Sequence, residues 1–142
     1  MSKIAVVYWS GTGNTEAMAN AIADGARNAG AAAELFTASD FSASMMDDFD
    51  AIAFGCPSMG AEQLEESEFE PFFANIESKL AGKAIALFGS YGWGDGQWMR
   101  DWCERCKNAG AQVVNGEGLI VNDAPDSNAL ADCKALGEAL VK

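Results

Sequence analysis

The sequence predicts a three-layer α/β fold built on a parallel sheet. Apolar runs of strand length alternate with helix-length amphipathic segments from end to end. Those runs are continuously apolar, as strands covered on both faces are. The first run, Ile4-Ala5-Val6-Val7, passes through a glycine-rich turn into a helical pattern, the usual form of a strand–turn–helix anion site.

Taken in order, residues 3–8 form the first strand. Residues 13–28 form a helix in which Met18, Ala19, Ile22, Ala23 and Ala26 repeat at helical spacing. Gly30 is placed to close that helix, and 31–36 is a weaker strand. Residues 39–48 have room only for a short helix, and 50–55 is a third strand. A helix over 69–80 leads through Gly82-Lys83 to a fourth strand over 84–88. Residues 97–109 are helical, 112–121 contain the fifth strand, and 127–141 form a closing helix. No linker or repeat interrupts this series, so residues 1–142 read as one domain. Right-handed crossovers distribute the helices over both faces of such a sheet. Ligands then bind at the carboxyl ends of the strands, where strand order reverses. The loops after strands one, three and four should carry the chemistry.

Composition removes several classes of function. Acidic residues outnumber basic ones 21 to 9, for a net charge of −12, and histidine is absent. Without histidine there is no Ser-His-Asp or Cys-His dyad and no histidine-ligated metal. The acidic field repels nucleic acid and anionic membranes and steers toward basic protein partners; it also serves plain solubility. The start, Met1-Ser2-Lys3, runs straight into a strand, and no apolar stretch reaches transmembrane length, so a cytoplasmic monomer is expected. Cys103-x-x-Cys106 has thioredoxin-like spacing but lies inside a helical pattern with no strand immediately before it. It reads as a pair of reduced thiols, and no metal site is expected.

The three loops offer three kinds of contact. Ser10, Gly11, Thr12, Gly13, Asn14 and Thr15 supply hydroxyls, an amide and backbone N–H groups at a helix start, with no cation among them. A Walker loop is excluded because no Gly-Lys-Ser/Thr follows, and Glu16 stands where a dinucleotide fingerprint needs its third glycine. A plain strand–helix turn is the competing reading of Gly-Thr-Gly. The turn Cys56-Pro57-Ser58-Met59-Gly60-Ala61-Glu62 presents a thioether, a glycine and a carboxylate able to accept from a heterocycle's N–H, or else a solvated surface acid. In Gly89-Ser90-Tyr91-Gly92-Trp93-Gly94-Asp95, two glycines bracket Trp93 and expose it for stacking on a flat ligand. Trp98 and Trp102, four apart on the next helix, read as core.

A planar ring with a phosphate tail, flavin mononucleotide (FMN), satisfies all three loops. The stretches 8–16 (YWSGTGNTE), 64–72 (LEESEFEPF) and 86–95 (ALFGSYGWGD) make the chain resemble the flavodoxins, specifically the short-chain type of anaerobic bacteria. The resemblance implies a flavodoxin-like fold with a five-stranded parallel sheet in the order 2-1-3-4-5. It implies a low-potential one-electron carrier with non-covalently bound FMN, cycling mainly between semiquinone and hydroquinone, with no substrate turnover of its own. It further implies that residues 10–15 hold the phosphate and that Met59 and Trp93 flank the ring. Glu62 would accept from the flavin N3–H, and Gly60 would reorient its peptide on reduction. Pro57, Ser58, Ser90, Tyr91, Gly92 and Gly94 would contact the ring edge or ribityl chain, with Asn122 or Asp123 closing the site. Pro57, where relatives often carry serine, has no N–H to donate, and Ala61 lacks the polar side chain many relatives carry.

Physically, the acids Glu62, Glu65, Glu66 and Asp95 are expected near the ring, where they would oppose its anionic reduced form and make a strong reductant. Partners implied are ferredoxin- or flavodoxin-dependent oxidoreductases with basic docking rims. A small FMN-dependent reductase of nicotinamides or quinones shares the fold but needs a second substrate pocket, for which the chain has no insertion. A phospho-receiver needs acids where this chain has Tyr8-Trp9 and Cys56-Pro57.

Overall fold

The computed structural model describes residues 2–11, 13–59 and 63–141. Strand β1 (Lys3–Tyr8) is followed by helix α1 (Asn14–Asn28) and strand β2 (Ala32–Thr37). Two 3₁₀ segments, Ala38–Asp40 and Ala43–Asp48, fill the span where a short helix was expected. Strand β3 (Ala51–Gly55) leads to helix α2 (Phe69–Ile76), which tightens into a 3₁₀ turn at Glu77–Lys79. Strand β4 (Ala84–Tyr91) and helix α3 (Gln97–Asn108) come next, then β5 (Gln112–Val113), β6 (Leu119–Asn122) and helix α4 (Ser127–Ala139).

The sheet runs β2-β1-β3-β4, with β5 and then β6 sharing the fifth place along β4, and all of these pairings are parallel. This is the expected five-place sheet in the order 2-1-3-4-5. Strand β1 is the pivot: Ile4 to Tyr8 pair with 33–37 on one side and with 51–55 on the other. The chain therefore leaves β1 for opposite edges, and the switch point lies between the ends of β1 and β3.

The two faces of the sheet are packed differently. One carries an aromatic layer: Phe54 meets Phe73 edge-to-face at 5.3 Å, and Phe69 and Phe73 each meet Trp102 at 5.5 Å. The other is alanine-rich and holds α1 and α4 close together. A Cβ on Gly25 would lie 2.0 Å from the Lys134 carbonyl oxygen, and one on Gly137 would lie 2.0 Å from that of Ile22. Only glycine permits that approach. Gly30 closes α1 as its sequence position implied: its own N–H donates to Arg27 and that of Ala31 to Ala26, the two bonds of a Schellman turn.

Two elements differ from expectation. Strand β4 runs three residues further, through Gly89, Ser90 and Tyr91, because β6 arrives to pair with them: Ser90 opposite Val121 and Tyr91 opposite Asn122. The fifth strand is broken by a turn in which Gly116 and Gly118 have φ of 57° and 81°. Asn115 bridges the break: its amide Nδ2 donates to the Leu87 carbonyl at 2.9 Å, and its Oδ1 accepts from the Leu87 N–H at 3.4 Å. A side chain thus stands in for the missing peptide in the ladder.

Replacing Asn115 with Leu leaves both Leu87 groups without partners beside β4. Equilibrium urea unfolding should show a loss of about 1–3 kcal/mol, the cost of stranding buried backbone polar groups; unchanged stability would mean that water serves them equally well.

Candidate functional site

The β1 exit gathers hydroxyls and backbone N–H groups at the start of α1. Trp9 extends the ladder by donating its N–H to the Gly55 carbonyl at 3.0 Å. The chain then turns through Gly13, whose φ of 94° places it at the N-cap of α1. Ser10 Oγ accepts from the N–H of Gly13 at 3.1 Å and of Glu16 at 3.3 Å, so one hydroxyl shapes the whole loop. Tyr8 donates its hydroxyl to Glu16 at 3.0 Å. Burial, and then that bond, raise the Tyr8 pKa and keep the phenol neutral.

Thr15 lies beneath the loop, 1% exposed, with its Oγ1 3.3 Å from the Ser90 hydroxyl. It also accepts the Ser90 backbone N–H at 3.4 Å. Two hydroxyls facing each other share one proton, which leaves the second hydroxyl hydrogen for another acceptor.

The β3 exit is held at its root. Cys56 donates its N–H to Phe88, Ser58 donates to the Ser90 carbonyl, and the Cys56 carbonyl accepts from the Trp98 indole at 3.1 Å. Met59 and Gln63 exchange both backbone hydrogen bonds, at 2.8 and 2.9 Å. Thr12, Gly60, Ala61 and Glu62 lie outside the described residues.

Glu65 lies two residues beyond the Met59–Gln63 pair, and its role differs from expectation. It is buried, and its carboxylate accepts from the N–H groups of Ser67, Glu68 and Phe69 at 2.9, 2.7 and 2.9 Å, and from the Ser67 hydroxyl. It is the cap of α2, not a solvated charge facing a ligand. Burial opposes its ionisation, but the four donors outweigh that and bring its pKa down to about 2. Its backbone N–H reaches the Cys56 thiol at 3.4 Å. Burial pushes that thiol far above its ordinary pKa, so Cys56 is a neutral packing group. Asp95, also expected near the ring as an unopposed charge, is paired with Arg100 at 3.0 Å.

At the β4 and β6 exits, the Tyr91 carbonyl accepts from the Asp123 N–H at 2.8 Å and from the Asn122 amide at 3.3 Å. Asp123 has φ of 58°, the one positive φ at a non-glycine among the described residues, in the left-handed region that Asp tolerates. Sequence reasoning left Asn122 and Asp123 as alternatives; Asp123 borders the cavity described next, and the Asn122 amide bonds the Tyr91 carbonyl.

Two cavities join these loops. Gly11 and Asn14, then Pro57, Ser58 and Met59, then Ser90, Tyr91 and Gly92 wall a cavity of about 210 Å³, completed by Trp9 and Asp123. A second, about 590 Å³, has Ser10, Gly11, Gly13 and Glu16 on one side and residues 37–39 on the other. Trp9 borders both. Sequence reasoning quoted Trp9 within a motif and gave it no role; its place directly after a buried strand was the available signal. Among the described residues, no lysine or arginine borders either cavity. Trp93, 62% exposed, and Gly94 are among the lining residues of neither, and Met59 is 38% exposed. A further cavity of about 600 Å³, between α3 and residues 116–120, contains none of the predicted residues.

The arrangement defines a class: a doubly wound α/β protein whose switch-point loop offers hydroxyls and helix-start N–H groups, with no lysine or arginine among the described residues lining it, and a narrower cavity beside it. The donor set fits the phosphate of a flavin mononucleotide, since hydroxyls and helix-start N–H groups need no cation to hold it.

A family model described as flavodoxin matches residues 6–137. The chain is 48% identical over 139 residues to the flavodoxin of Megasphaera elsdenii, covering 98% of each. It is 49% identical over 135 residues to that of Clostridium beijerinckii, covering 95% of this chain and 96% of that one. The solution structure of two-electron reduced Megasphaera elsdenii flavodoxin superposes with a TM-score of 0.89 at 50% identity, over 96% of this chain and 97% of that chain. The chain belongs to the flavodoxin family, with the short-chain type of anaerobic bacteria as its near relatives. Its function is that of the family: a low-potential one-electron carrier whose cofactor is FMN, which passes electrons between redox partners and turns over no substrate. No helix among the described residues is long and apolar enough to cross a membrane.

The Glu65 cap gives a pH signature. Its folded pKa, about 2, lies below its ordinary value of 4.5, so its stabilisation is complete above pH 4.5 and is lost as pH falls toward 2. Glu65→Gln keeps the shape and removes the charge. Chemical denaturation at pH 7 should show a loss of about 2 kcal/mol that shrinks toward zero near pH 2; a pH-independent difference would assign the effect to packing.

Proposed function

We propose that the FMN phosphate lies at the start of α1, held by Ser10, Gly11, Thr12, Gly13, Asn14 and Thr15, with the ring between Met59 and Trp93. The observation that carries this placement is the Thr15–Ser90 hydroxyl pair, which ties the β1 loop to the end of β4 and leaves one donor for an anion. Pro57 and Ser58 border the ribityl side. Because the Ser58 N–H is committed to Ser90, its hydroxyl is the group left to contribute. Tyr91, Gly92 and Gly94 supply the ring edge, Asp123 closes the site, Glu62 accepts from the flavin N3–H, and Gly60 gives the turn its freedom of peptide orientation.

Bound FMN supplies the one-electron chemistry; the chain's own residues set its energy. With no cation beside the cradle among the described residues, none of them offsets the charge that reduction adds. Two of the acids expected to reinforce this are compensated, Glu65 by its donors and Asp95 by Arg100, so the acidic contribution near the site falls to Glu62 and Glu66 together with Glu16, Glu68 and Asp123, which line the cavities. The net charge of −12 orients the exposed Trp93 edge toward basic rims on partner oxidoreductases and away from nucleic acid and anionic membranes. The protein works as a cytoplasmic monomer, with residues 1–142 forming a single FMN-binding domain.

Stepwise reduction of purified protein followed by absorbance tests the placement. Wild type should give a flavin spectrum that changes in two one-electron stages; a colourless protein that takes up no FMN would sink the reading. Thr15→Val should bind FMN about tenfold more weakly, the worth of one hydrogen bond to a charged group. Asn14→Lys should raise the more negative of the two potentials by up to about 70 mV. That figure corresponds to ~1.7 kcal/mol between unit charges ~10 Å apart at an effective dielectric of ~20, and salt reduces it.

A further inference from the structure

We propose that Trp98 is a positioning residue for the flavin site: by occupying the Cys56 carbonyl, it releases the Ser90 N–H to Thr15 and so assembles the anion cradle. The inference rests on the placement of FMN proposed above.

The ladder between the ends of β3 and β4 contains a substitution made by side chains. The Cys56 N–H donates to Phe88 at 3.1 Å and the Ser58 N–H to Ser90 at 3.0 Å, as a parallel ladder requires. In that register the bond lying between them would run from the Ser90 N–H to the Cys56 carbonyl. Ser90 instead donates to Thr15 Oγ1, at 3.4 Å, and the Cys56 carbonyl takes the Trp98 indole N–H, at 3.1 Å. Each backbone group released from the ladder is therefore met by a side chain from another element, Thr15 from α1 and Trp98 from α3.

The surroundings hold Trp98 to this task. It is 2% exposed, so its N–H has no solvent alternative. Its ring lies 5.6 Å from that of Tyr91, which borders the 210 Å³ cavity. A Cβ on Gly89 would lie 2.2 Å from the Cys56 carbonyl oxygen and 3.2 Å from the Trp98 ring, so the residue before Ser90 leaves space for both. Trp98 thus touches the roots of both walls of the site without lining the cavity.

Trp102 provides an internal control. It sits one turn further along α3, is 1% exposed, and its indole N–H has no hydrogen-bond partner. Trp98→Phe and Trp102→Phe each remove an indole from a buried helix face, but only the first removes a bond that reaches the site.

The test compares holoprotein of both variants with wild type by FMN dissociation constant, by the two one-electron potentials, and by the amide NMR resonance of Ser90. Trp98→Phe should bind FMN about three- to tenfold more weakly, the range of one net hydrogen bond. Its two potentials should move by unequal amounts, and the Ser90 amide should shift as it returns to the Cys56 carbonyl. Trp102→Phe should leave affinity within about twofold, with potentials and the Ser90 resonance unchanged. A purely structural role for Trp98 would lower stability and leave the spacing of the potentials in place, and that result overturns the proposal. Should Trp98→Phe not fold, the wild-type indole resonances decide: the Trp98 N–H must shift on FMN addition while that of Trp102 stays, and an unmoved Trp98 overturns the proposal. Wild type that takes up no FMN removes the site placement and this inference together; normal uptake with an indifferent Trp98→Phe removes this inference alone.

Discussion

Strand β1 is paired along its length on both sides and covered on both faces, and the rest of the molecule follows from accommodating it. A strand in that position must be apolar throughout, which Ile4 to Val7 are, each 0% exposed. Its parallel neighbours can be reached only by crossovers, and right-handed crossovers to opposite edges place helices on both faces. The ends of β1 and β3 then open next to each other with their connections departing in opposite directions. The crevice between them is a consequence of the pairing, and α1 must begin there. A helix of 15 residues starting at the mouth of a crevice brings its first-turn N–H groups and positive end with it.

That origin explains why the cradle needs no cation. Phosphate binding by helix-start donors and hydroxyls is sufficient for a group that is only to be held, and it adds no net charge beside a redox centre. A lysine in the same loop would steady the phosphate further but would favour the negatively charged reduced cofactor and weaken the reductant. The acids near the site divide by the same physics. Glu65 is ionised because four donors converge on it, so its charge is spent on α2; Asp95 is neutralised by Arg100. Counting carboxylates near a site therefore overstates its field unless each one's partners are known.

The legible parts of the sequence were those encoded by local pattern. The limits of β1 and the span of α1 follow from an apolar run and a helical repeat divided by a glycine-rich turn. Gly30 declared the end of α1 because only one residue type sits easily at that cap. Glu65 was illegible for a specific reason: residues 65–68 contain three glutamates, and the one that turns inward sits where its backbone N–H meets Cys56, nine residues earlier in the chain. The extension of β4 was hidden because Gly89 and Ser90 are poor strand formers whose pairing comes from Ile120 and Val121, far along the chain. Asn115 in the fifth strand looked like a polar interruption, and in three dimensions it completes the ladder.

The same distinction between local pattern and tertiary pairing separates Trp98 from Trp102. Their spacing of four marks both as the inward stripe of α3, and burial agrees for both. Periodicity cannot say which indole N–H finds an acceptor, because the acceptor is a carbonyl left over where β3 stops pairing. Sites at the ends of parallel strands have such leftover groups by construction, since the ladder must end there while the walls stay buried. The side chains that meet them are read from sequence as core, yet through them the packing of the far helix layer reaches the walls of the crevice. Around this crevice Thr15, Trp98 and Asn122 all bond backbone groups of the β3 and β4 ends. The geometry of the cradle is thus set as much by residues behind its walls as by those that line it.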